Sequence, residues 1–182
     1  MNLQIDTTWT LFLDRDGVIN TKIDNDYIRN WSDFKFVPGV FDALKVIAAA
    51  FSTIVVVTNQ QGIGKGFFTE ADLAHIHQNM QMQIRLNGGR IDKVYFCPNL
   101  VIENSDCRKP NTGMGLQAKR DFPAIDFSKS IMVGDSMSDM QFGKNLGMTT
   151  VFISETYVLN VQEETLVNYV FPNLYQFAKA II

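Results

Sequence analysis

Two carboxylates lie two residues apart near the start of the chain, where Asp14 and Asp16 interrupt the stretch FLDRDGVIN. The residues before them have the hydrophobicity of a buried strand, and charged groups at the end of such a strand are costly unless they bind a partner. A cation, Arg15, lies between the two carboxylates, and Gly17 follows them directly. This stretch is therefore the first candidate for a site of chemistry.

Other apolar stretches are also followed by polar residues. Residues 58–60 follow one stretch, residues 134–139 follow another, and a third leads through a loop to Arg108 and Lys109. In open parallel sheets, ligands collect at the carboxyl ends of the strands where the strand order reverses. We therefore expect all of these polar groups to face one crevice.

The chemistry that such a crevice offers is phosphoryl transfer. Three carboxylates close together raise one another's pKa unless a cation lies among them. Asp14 and Asp135 have oxygen donors around them and suit Mg²⁺, which takes few protein ligands and completes its shell with water and a substrate phosphate. Lys109 and the hydroxyl of Thr58 supply further positive charge and donors. Catalysis of phosphoryl transfer is mostly positioning and charge stabilisation, and this set of groups provides both.

A regular alternation of strands and helices is predicted to position these groups. Apolar runs predict strands at residues 9–13, 53–57, 93–97, 130–133 and 150–153. Helical periodicity and capping residues predict helices at about residues 37–51, 69–88, 113–121, 138–146 and from 173 to the end. Strands and helices in alternation are typical of a parallel sheet with both faces covered. We therefore predict an α/β fold, a Rossmann-like doubly wound parallel sheet with helices on both faces.

Length and composition limit the class of protein. The chain has 182 residues, 46% of them hydrophobic, and a formal net charge of −3. This length favours one core, so we predict one domain over residues 1–182. The absence of a basic run argues against nucleic acid or an anionic membrane as partner and favours a small phosphorylated metabolite. Without a signal-peptide pattern, or an apolar run of the roughly 20 residues that span a bilayer, we expect a cytoplasmic protein, and we also expect a monomer.

Four motifs together resemble those of the haloacid dehalogenase superfamily of phosphohydrolases. They are DRDG from Asp14, Thr58-Asn59, Lys109 and GDSMSD from Gly134, in the superfamily's order and behind the predicted strands. The resemblance covers roughly residues 9–153. It implies that Asp14 attacks phosphorus to form an aspartyl-phosphate, and that Asp16 protonates the leaving oxygen and then deprotonates the hydrolytic water.

The same resemblance implies the tasks of the other catalytic and metal-binding residues. Thr58 and Lys109 hold the phosphoryl oxygens. Mg²⁺ is bound by Asp14, the backbone carbonyl of Asp16 and Asp135. Asp139 holds either a water molecule on the metal or Lys109 in place. Members of the superfamily often carry a cap domain, but the predicted helices and strand fill the segments between the motifs, so we expect no cap.

Longer stretches resemble one group within the superfamily. FLDRDGVIN, VVVTNQQGIGKGFFTE, VYFCPN, CRKPNTGM and IMVGDSMSDM are similar to bacterial D-glycero-D-manno-heptose-1,7-bisphosphate phosphatases and to the related histidinol-phosphate phosphatases. This resemblance implies substrate contacts from Asn59, Gln60, Gln61 and Arg108. Arg108 can fork onto a second phosphate, which suits a bisphosphate. Tyr27, in the loop after the first motif, is a further candidate for substrate contact.

Two departures from the group's pattern stand out. The pattern includes a structural zinc in a C-x-H…C-x-C loop, whereas this chain keeps only Cys97 and Cys107 and has Asn99 and Ser105 at the other positions. Asparagine and serine are poor zinc ligands, so no structural zinc is expected. The two cysteines could in principle pair, but in a chain of this size without a secretion signal we expect reduced thiols or metal ligands instead. Hydrogen bonds and packing are expected to hold the loop. The second departure is Ser136, which replaces a lysine of the heptose phosphatases and leaves the exact substrate open.

The sequence therefore predicts a Mg²⁺-dependent phosphoric monoester hydrolase of a small sugar phosphate, foremost the 7-phosphate of D-glycero-D-manno-heptose 1,7-bisphosphate. A histidinol-phosphate phosphatase is the alternative within the fold, and it would need aromatic or acidic neighbours for an imidazole near Arg108. A non-catalytic phospho-receiver domain is the alternative from another class. Asp16 argues against the receiver, because an acid/base group lets water clear the phosphoenzyme.

Overall fold

The structure is a computed structural model that describes residues 5–24, 26–156 and 158–181. Its strands are β1 (Thr10–Leu13), β2 (Thr53–Asn59), β3 (Lys93–Cys97), β4 (Ser130–Gly134), β5 (Thr149–Ile153) and β6 (Tyr169–Phe171). They form one sheet in the order β3-β2-β1-β4-β5-β6, and each neighbouring pair is parallel. The chain therefore builds one half of the sheet outwards from β1 and then returns to build the other half from β4.

Helices cover both faces of this sheet. They are α1 (Val40–Ala50), α2 (Glu70–Leu86), α3 (Gly113–Asp121), α4 (Met137–Asn145), α5 (Val161–Glu164) and α6 (Leu174–Ala180). Successive strand residues point to opposite faces, so Leu11 and Leu13 pack with α1, α2 and α6, whereas Phe12 packs with α3 and α4. Two apolar layers enclose the sheet, and the predicted fold class is confirmed.

Local signals fix several of the element ends. The hydroxyl of Thr69 accepts a hydrogen bond from the backbone N–H of Asp72, whose carboxylate accepts one from the backbone of Thr69. This is the capping box that the sequence predicts at the start of α2. β3 and α3 have the predicted bounds, whereas α5 and β6 were not predicted. Both are short, so neither shows a hydrophobic period, and β6 becomes a strand because it pairs with β5 at the edge of the sheet.

The middle of the sheet brings the predicted motifs together. β1 lies between β2 and β4, with Leu13 in register with Val56 and with Val133. The backbone N–H of Asp14 still donates to the carbonyl of Val133, at 2.9 Å. The carboxyl ends of β1, β2 and β4 therefore meet at one edge, at the point where the strand order reverses, which is where such sheets bind ligands.

The connections after β1 and β2 leave no room for a large insertion among the described residues. The chain from β1 to β2 holds a loop, a short 3₁₀ turn at Trp31–Asp33 and α1, and the chain from β2 to Lys109 holds α2, β3 and another such turn. The expectation of a fold without a cap is consistent with this order. A single domain over residues 1–182 stays a prediction. No helix in the described ranges combines the length and the apolar character that crossing a bilayer requires.

The expectation for the two cysteines was wrong. Cys97, at the end of β3, and Cys107 form a disulfide across ten residues of chain, with their Cα atoms 5.4 Å apart. The loop after β3 folds back far enough to bring the two Cα atoms within the range that a disulfide requires. The zinc-loop pattern that the sequence resembles groups these two positions, but it did not predict a covalent bond between them. The disulfide closes the loop in addition to its hydrogen bonds. Because disulfides are rare in reducing compartments, the cytoplasmic location stays a prediction.

Candidate active site

Lys109 lies at the centre of the crevice and connects three parts of the sheet edge. Its Nζ atom donates a hydrogen bond to Oδ1 of Asp14 at 2.9 Å and another to the backbone oxygen of Val57 at 2.7 Å. The same atom lies 2.5 Å from Oδ1 of Asp139. Lys109 and Asp139 are buried, so these three contacts hold the ammonium group in place at the inner end of the crevice.

Burial and crowding shift the pKa values in this cluster. Burial raises the pKa of Asp14 from 3.8 to about 6 against the lowering effect of the Lys109 charge, and Asp139 adds to the rise. Burial alone would lower the pKa of Lys109, but the charges of Asp139 and Asp14 outweigh it and raise that pKa. Burial, with the charge of Asp14, also raises the pKa of Asp135. Lys109 therefore remains a cation, and the carboxylates crowd one another enough to favour a further cation.

Asp139 has a second task besides its contact with Lys109. Its Oδ2 atom accepts hydrogen bonds from the backbone N–H of Ser136 at 3.1 Å and from the hydroxyl of Ser136 at 2.6 Å. This capping box begins α4 directly behind β4. Gly134 leaves space for it, since a Cβ atom at Gly134 would lie 2.3 Å from Cβ of Asp139. The GDSMSD motif therefore builds the helix start and orients the carboxylate at the same time.

Asp135 faces the loop that follows β1. Gly17 has φ +87°, and a Cβ atom there would lie 2.2 Å from Oδ2 of Asp135, so only glycine permits this approach. The same Oδ2 atom accepts a hydrogen bond from Nζ of Lys22 at 2.9 Å. Lys22 thus brings a cation to the neighbourhood of Ser136, where the resemblance leads one to expect a lysine, but from a different element of the fold.

The carboxylates fit a hard divalent cation. Oxygen atoms of Asp14, Asp135 and Asp139 all lie within 4.8 Å of one another. An all-oxygen set of this kind suits Mg²⁺, which needs only a few protein ligands. Lys109 and Ser136 contact both carboxylate oxygens of Asp139. Asp14 and Asp135 each have only one oxygen in a described contact, with Lys109 and Lys22, so their other oxygens are the ones that can hold the ion. The carboxylate of Asp16 lies outside this cluster, in keeping with a metal contact through its backbone carbonyl only.

The carboxylate of Asp16 is turned towards Arg15. Nη2 of Arg15 donates to Oδ1 and Oδ2 of Asp16 at 2.8 and 2.9 Å. Nδ2 of Asn20 donates to Oδ1, and Nε2 of Gln60 donates to Oδ2, both at 2.9 Å. Burial raises the pKa of Asp16, but the Arg15 charge and these hydrogen bonds outweigh burial and lower it. Asp16 is therefore held as a carboxylate on the wall of the crevice.

The residues after β2 connect the catalytic groups to one another. Nε2 of Gln60 donates to Oγ1 of Thr58 at 2.9 Å as well as to Asp16. Asn59 pairs with the backbone of Lys109 through two hydrogen bonds, of 3.0 and 3.1 Å. Gln60 is 2% exposed. The structure therefore gives Asn59 and Gln60 positioning contacts that the sequence did not predict, and their substrate contacts stay predictions.

Farther out, the crevice opens into a pocket of about 490 Å³ that carries cations at its rim. Nζ of Lys65 donates to the hydroxyl of Tyr27 at 3.0 Å, and Nη1 of Arg108 donates to the backbone oxygen of Asn99 at 3.1 Å. Neither cation forms a salt bridge with any described carboxylate. The predicted site residues that line this pocket are Asp14, Asp16, Tyr27, Thr58, Asn59, Gln60, Gln61, Arg108, Lys109 and Asp135.

The raised pKa of Asp14 leads to a testable prediction about stability. The folded protein without divalent cations binds a proton at Asp14 more tightly than the unfolded chain does, so it loses stability as the pH rises from 3.8 to about 6. Relative to the Asp14→Asn variant, we expect the wild type to lose up to about 1.4 kcal/mol per pH unit in this window and nothing further above it. Urea unfolding of both proteins in chelator, across the window, measures this difference. A constant difference would contradict the prediction.

Comparisons with known proteins agree with this geometry. A family model described as polynucleotide kinase 3 phosphatase matches residues 11–157. A D-glycero-alpha-D-manno-heptose-1,7-bisphosphate 7-phosphatase of Mycobacterium bovis is 39% identical over 173 residues, which are 95% of this chain and 91% of that protein. A D-glycero-beta-D-manno-heptose-1,7-bisphosphate 7-phosphatase of Vibrio cholerae is 40% identical over 153 residues, which are 80% of this chain and 81% of that protein.

A solved structure is also similar over nearly the whole chain. It is a D,D-heptose 1,7-bisphosphate phosphatase from B. bronchiseptica, in complex with magnesium and phosphate. It superposes with a TM-score of 0.82 at 27% sequence identity and covers 95% of this chain and 97% of its own. The similarity therefore extends to both halves of the sheet and to the edge that carries the carboxylates.

Proposed function

Since this chain belongs to the polynucleotide kinase 3 phosphatase family, within the haloacid dehalogenase superfamily of phosphatases, we propose that it hydrolyses the 7-phosphate of D-glycero-D-manno-heptose 1,7-bisphosphate. The chain is a phosphoric monoester hydrolase, as its relatives are. The observation that carries the proposal is the contact of Lys109 with both Asp14 and Asp139, which places a nucleophile and a buried cation at one point.

In the first half of the proposed reaction, an oxygen of Asp14 attacks the phosphorus atom. The bond to the sugar oxygen breaks, and Asp16 delivers to that oxygen the proton that it took from water in the second half of the preceding turnover. Lys109 and the hydroxyl of Thr58 face the phosphoryl oxygens and stabilise their charge. Mg²⁺ held by Asp14, Asp135 and the backbone carbonyl of Asp16 would neutralise charge on the same oxygens.

In the second half, a water molecule attacks the phosphorus atom of the aspartyl-phosphate. Asp16 takes the proton of this water, and the bond to Asp14 breaks so that its carboxylate is restored. Asp16 is suited to this task because it faces the pocket while Arg15, Asn20 and Gln60 hold it. This capacity to release the phosphate favours an enzyme over the receiver domain.

The cations at the rim favour a sugar bisphosphate over histidinol phosphate. Arg108 and Lys65 lie at the outer end of the pocket without a carboxylate partner among the described residues. A second phosphate is the ligand that such cations bind well. The imidazole of histidinol phosphate would instead meet two positive charges, and the aromatic ring of Tyr27 already pairs with Lys65. The substrate is thus proposed to lie with one phosphate at Asp14 and the other at Arg108.

A substrate panel tests the proposal directly. Purified protein with Mg²⁺ is assayed for phosphate release from both anomers of the heptose bisphosphate, from hexose monophosphates and bisphosphates, from histidinol phosphate and from an oligonucleotide with a 3′-phosphate. We expect the highest kcat/KM for a heptose bisphosphate and loss of activity in EDTA. A higher kcat/KM for histidinol phosphate or for the oligonucleotide would reject the proposed substrate. That the enzyme acts as a cytoplasmic monomer stays a prediction.

Arg108→Met is expected to weaken binding of a bisphosphate specifically. Loss of a charge-assisted contact of about 1.5–3 kcal/mol corresponds to a rise in KM of about 10- to 100-fold for the heptose bisphosphate, with little change for a sugar monophosphate. Steady-state kinetics on the two substrates measure this difference. Arg120→Met, which removes an exposed arginine outside the pocket, is the matched control. An equal rise in KM for the bisphosphate and the monophosphate would contradict a role of Arg108 at the second phosphate.

A further inference from the structure

Arg15 is one of the largest fully buried side chains of the described protein, and the reaction as outlined gives it no contact with substrate. Its guanidinium group has partners on two sides. Nη2 donates to both carboxylate oxygens of Asp16, at 2.8 and 2.9 Å. Nη1 lies 3.2 Å from Nε2 of His77, which comes from α2 and is 62 positions away in the chain.

His77 acts as an acceptor in this arrangement. It is buried, and burial, with the positive charge of Arg15 adding to the effect, lowers its pKa to about 3. The neutral ring with its proton on Nδ1 presents Nε2 as an acceptor for Nη1 of Arg15. His75, two residues earlier on the same helix, is exposed and shares a hydrogen bond with Asn79 of that helix.

The geometry fixes the orientation of Asp16 from behind. Because Nη1 of the guanidinium group contacts His77, the group is oriented so that Nη2 contacts the Asp16 carboxylate. The centre of the Phe34 ring lies 5.9 Å from Cζ of Arg15. Asp16 keeps 24% of its side chain exposed, on the side that faces the pocket. A buried ion pair of this kind rarely adds stability over apolar residues. Its effect here is that a carboxylate next to the reacting phosphorus has one orientation.

We propose that Arg15 and His77 are positioning residues for the second half of the reaction, in which they hold the Asp16 carboxylate where it takes a proton from the hydrolytic water. The inference rests on the aspartyl-phosphate mechanism proposed above. In this step the water oxygen forms a bond to phosphorus, the bond between phosphorus and the Asp14 oxygen breaks, and its electron pair returns to Asp14. The water proton moves to Asp16, and the product is inorganic phosphate.

The test uses p-nitrophenyl phosphate with Mg²⁺, because p-nitrophenolate leaves without needing a proton from Asp16. With this substrate kcat/KM reports formation of the aspartyl-phosphate, whereas kcat also includes its hydrolysis. His77→Leu removes the acceptor for Arg15, and His77→Gln returns one. Arg15→Lys keeps the positive charge but lacks the guanidinium group that contacts Asp16 and His77 at the same time. His75→Leu is the matched control on the same helix.

We expect His77→Leu and Arg15→Lys to lower kcat and KM together by about tenfold, while kcat/KM changes less than about threefold. A tenfold loss is a part of the roughly 10²- to 10⁴-fold that a general base contributes to the rate. Acid quenching should show more phosphoenzyme than in the wild type, and His77→Gln should restore kcat. An unchanged kcat in either variant, or a parallel fall of kcat and kcat/KM without phosphoenzyme, would overturn the inference. Because Arg15→Lys leaves His77 in place, it decides the question if His77→Leu does not fold.

The design separates this inference from the proposed function. Release of p-nitrophenol by the wild type tests the phosphatase chemistry, the sugar panel tests the substrate, and the difference between kcat and kcat/KM in the variants tests Arg15 and His77. If the natural substrate is not the proposed heptose bisphosphate, the difference measured with p-nitrophenyl phosphate is unaffected.

Discussion

Asp14→Asn is expected to abolish phosphate release, with kcat lower by at least about 10⁴-fold on every substrate. The amide cannot attack phosphorus as a carboxylate does, and the substitution also removes one of the carboxylates that can hold Mg²⁺. The folded protein should persist, since loss of Asp14 relieves the crowding that raises its own pKa and that of Asp135. Phosphate release under saturating substrate measures the loss.

Acid-quenched labelling makes this first prediction specific for the nucleophile. The wild type should carry label from a phosphorylated substrate on Asp14, and the Asp14→Asn variant should carry none. Asp42→Asn, which alters an exposed carboxylate in the first turn of α1, is the matched control and should keep full activity. Full activity in folded Asp14→Asn, or label on another residue, would contradict the mechanism.

Lys109→Met has the second largest expected effect, because it acts on both activity and stability. Removing a donor aimed at the transition-state charge lowers kcat by roughly 10²- to 10³-fold. The variant also leaves Asp14 and Asp139 buried without the cation that contacts them at 2.9 and 2.5 Å. Removing one partner from a buried charge pair destabilises by about 3–5 kcal/mol. We therefore expect a large fall in the urea midpoint in EDTA.

The control for Lys109→Met is Lys93→Met. Lys93 forms an ion pair with Asp121 at 2.7 Å, but 45% of its side chain is exposed. Exposed pairs contribute at most about 1 kcal/mol, so this variant should keep its activity and nearly all of its stability. Equal urea midpoints for the two variants would show that the buried contacts of Lys109 do not hold the crevice together.

Local patterns in the sequence were sufficient to predict the α/β fold and most residues of the site. β3 and α3 have the predicted bounds, because apolar alternation and capping residues act over a few neighbours. Three of the four motifs lie at the carboxyl ends of β1, β2 and β4, and the parallel sheet brings these ends to one edge. The fourth, Lys109, reaches the same edge through the loop after β3. The family and the chemistry of phosphate removal followed from those residues.

Several features were predicted wrongly or not at all, because they depend on the path of a loop or on a neighbouring strand. The path of the loop after β3 decides that Cys97 and Cys107 form a disulfide, whereas the zinc-loop pattern around them indicated only that the two positions lie together. Lys22 reaches Asp135 over 113 positions of sequence. β6 is a strand only because β5 is beside it. Each of these contacts depends on the assembled sheet and its loops, which local propensity does not encode.

Asp14 and Asp16 show most clearly which features the sequence could predict and which needed the folded structure. Strand periodicity and turn residues are local features, so the amino-acid sequence was enough to predict that two carboxylates would follow β1 and face one crevice. The family resemblance gave them different tasks, but the contacts that separate them came from the tertiary structure, in which Asp14 contacts Lys109 and Arg15 holds Asp16. The physical reason is that burial and the nearest cation set the state of a carboxylate, and His77 and Lys109 reach these positions from elements that are distant in sequence.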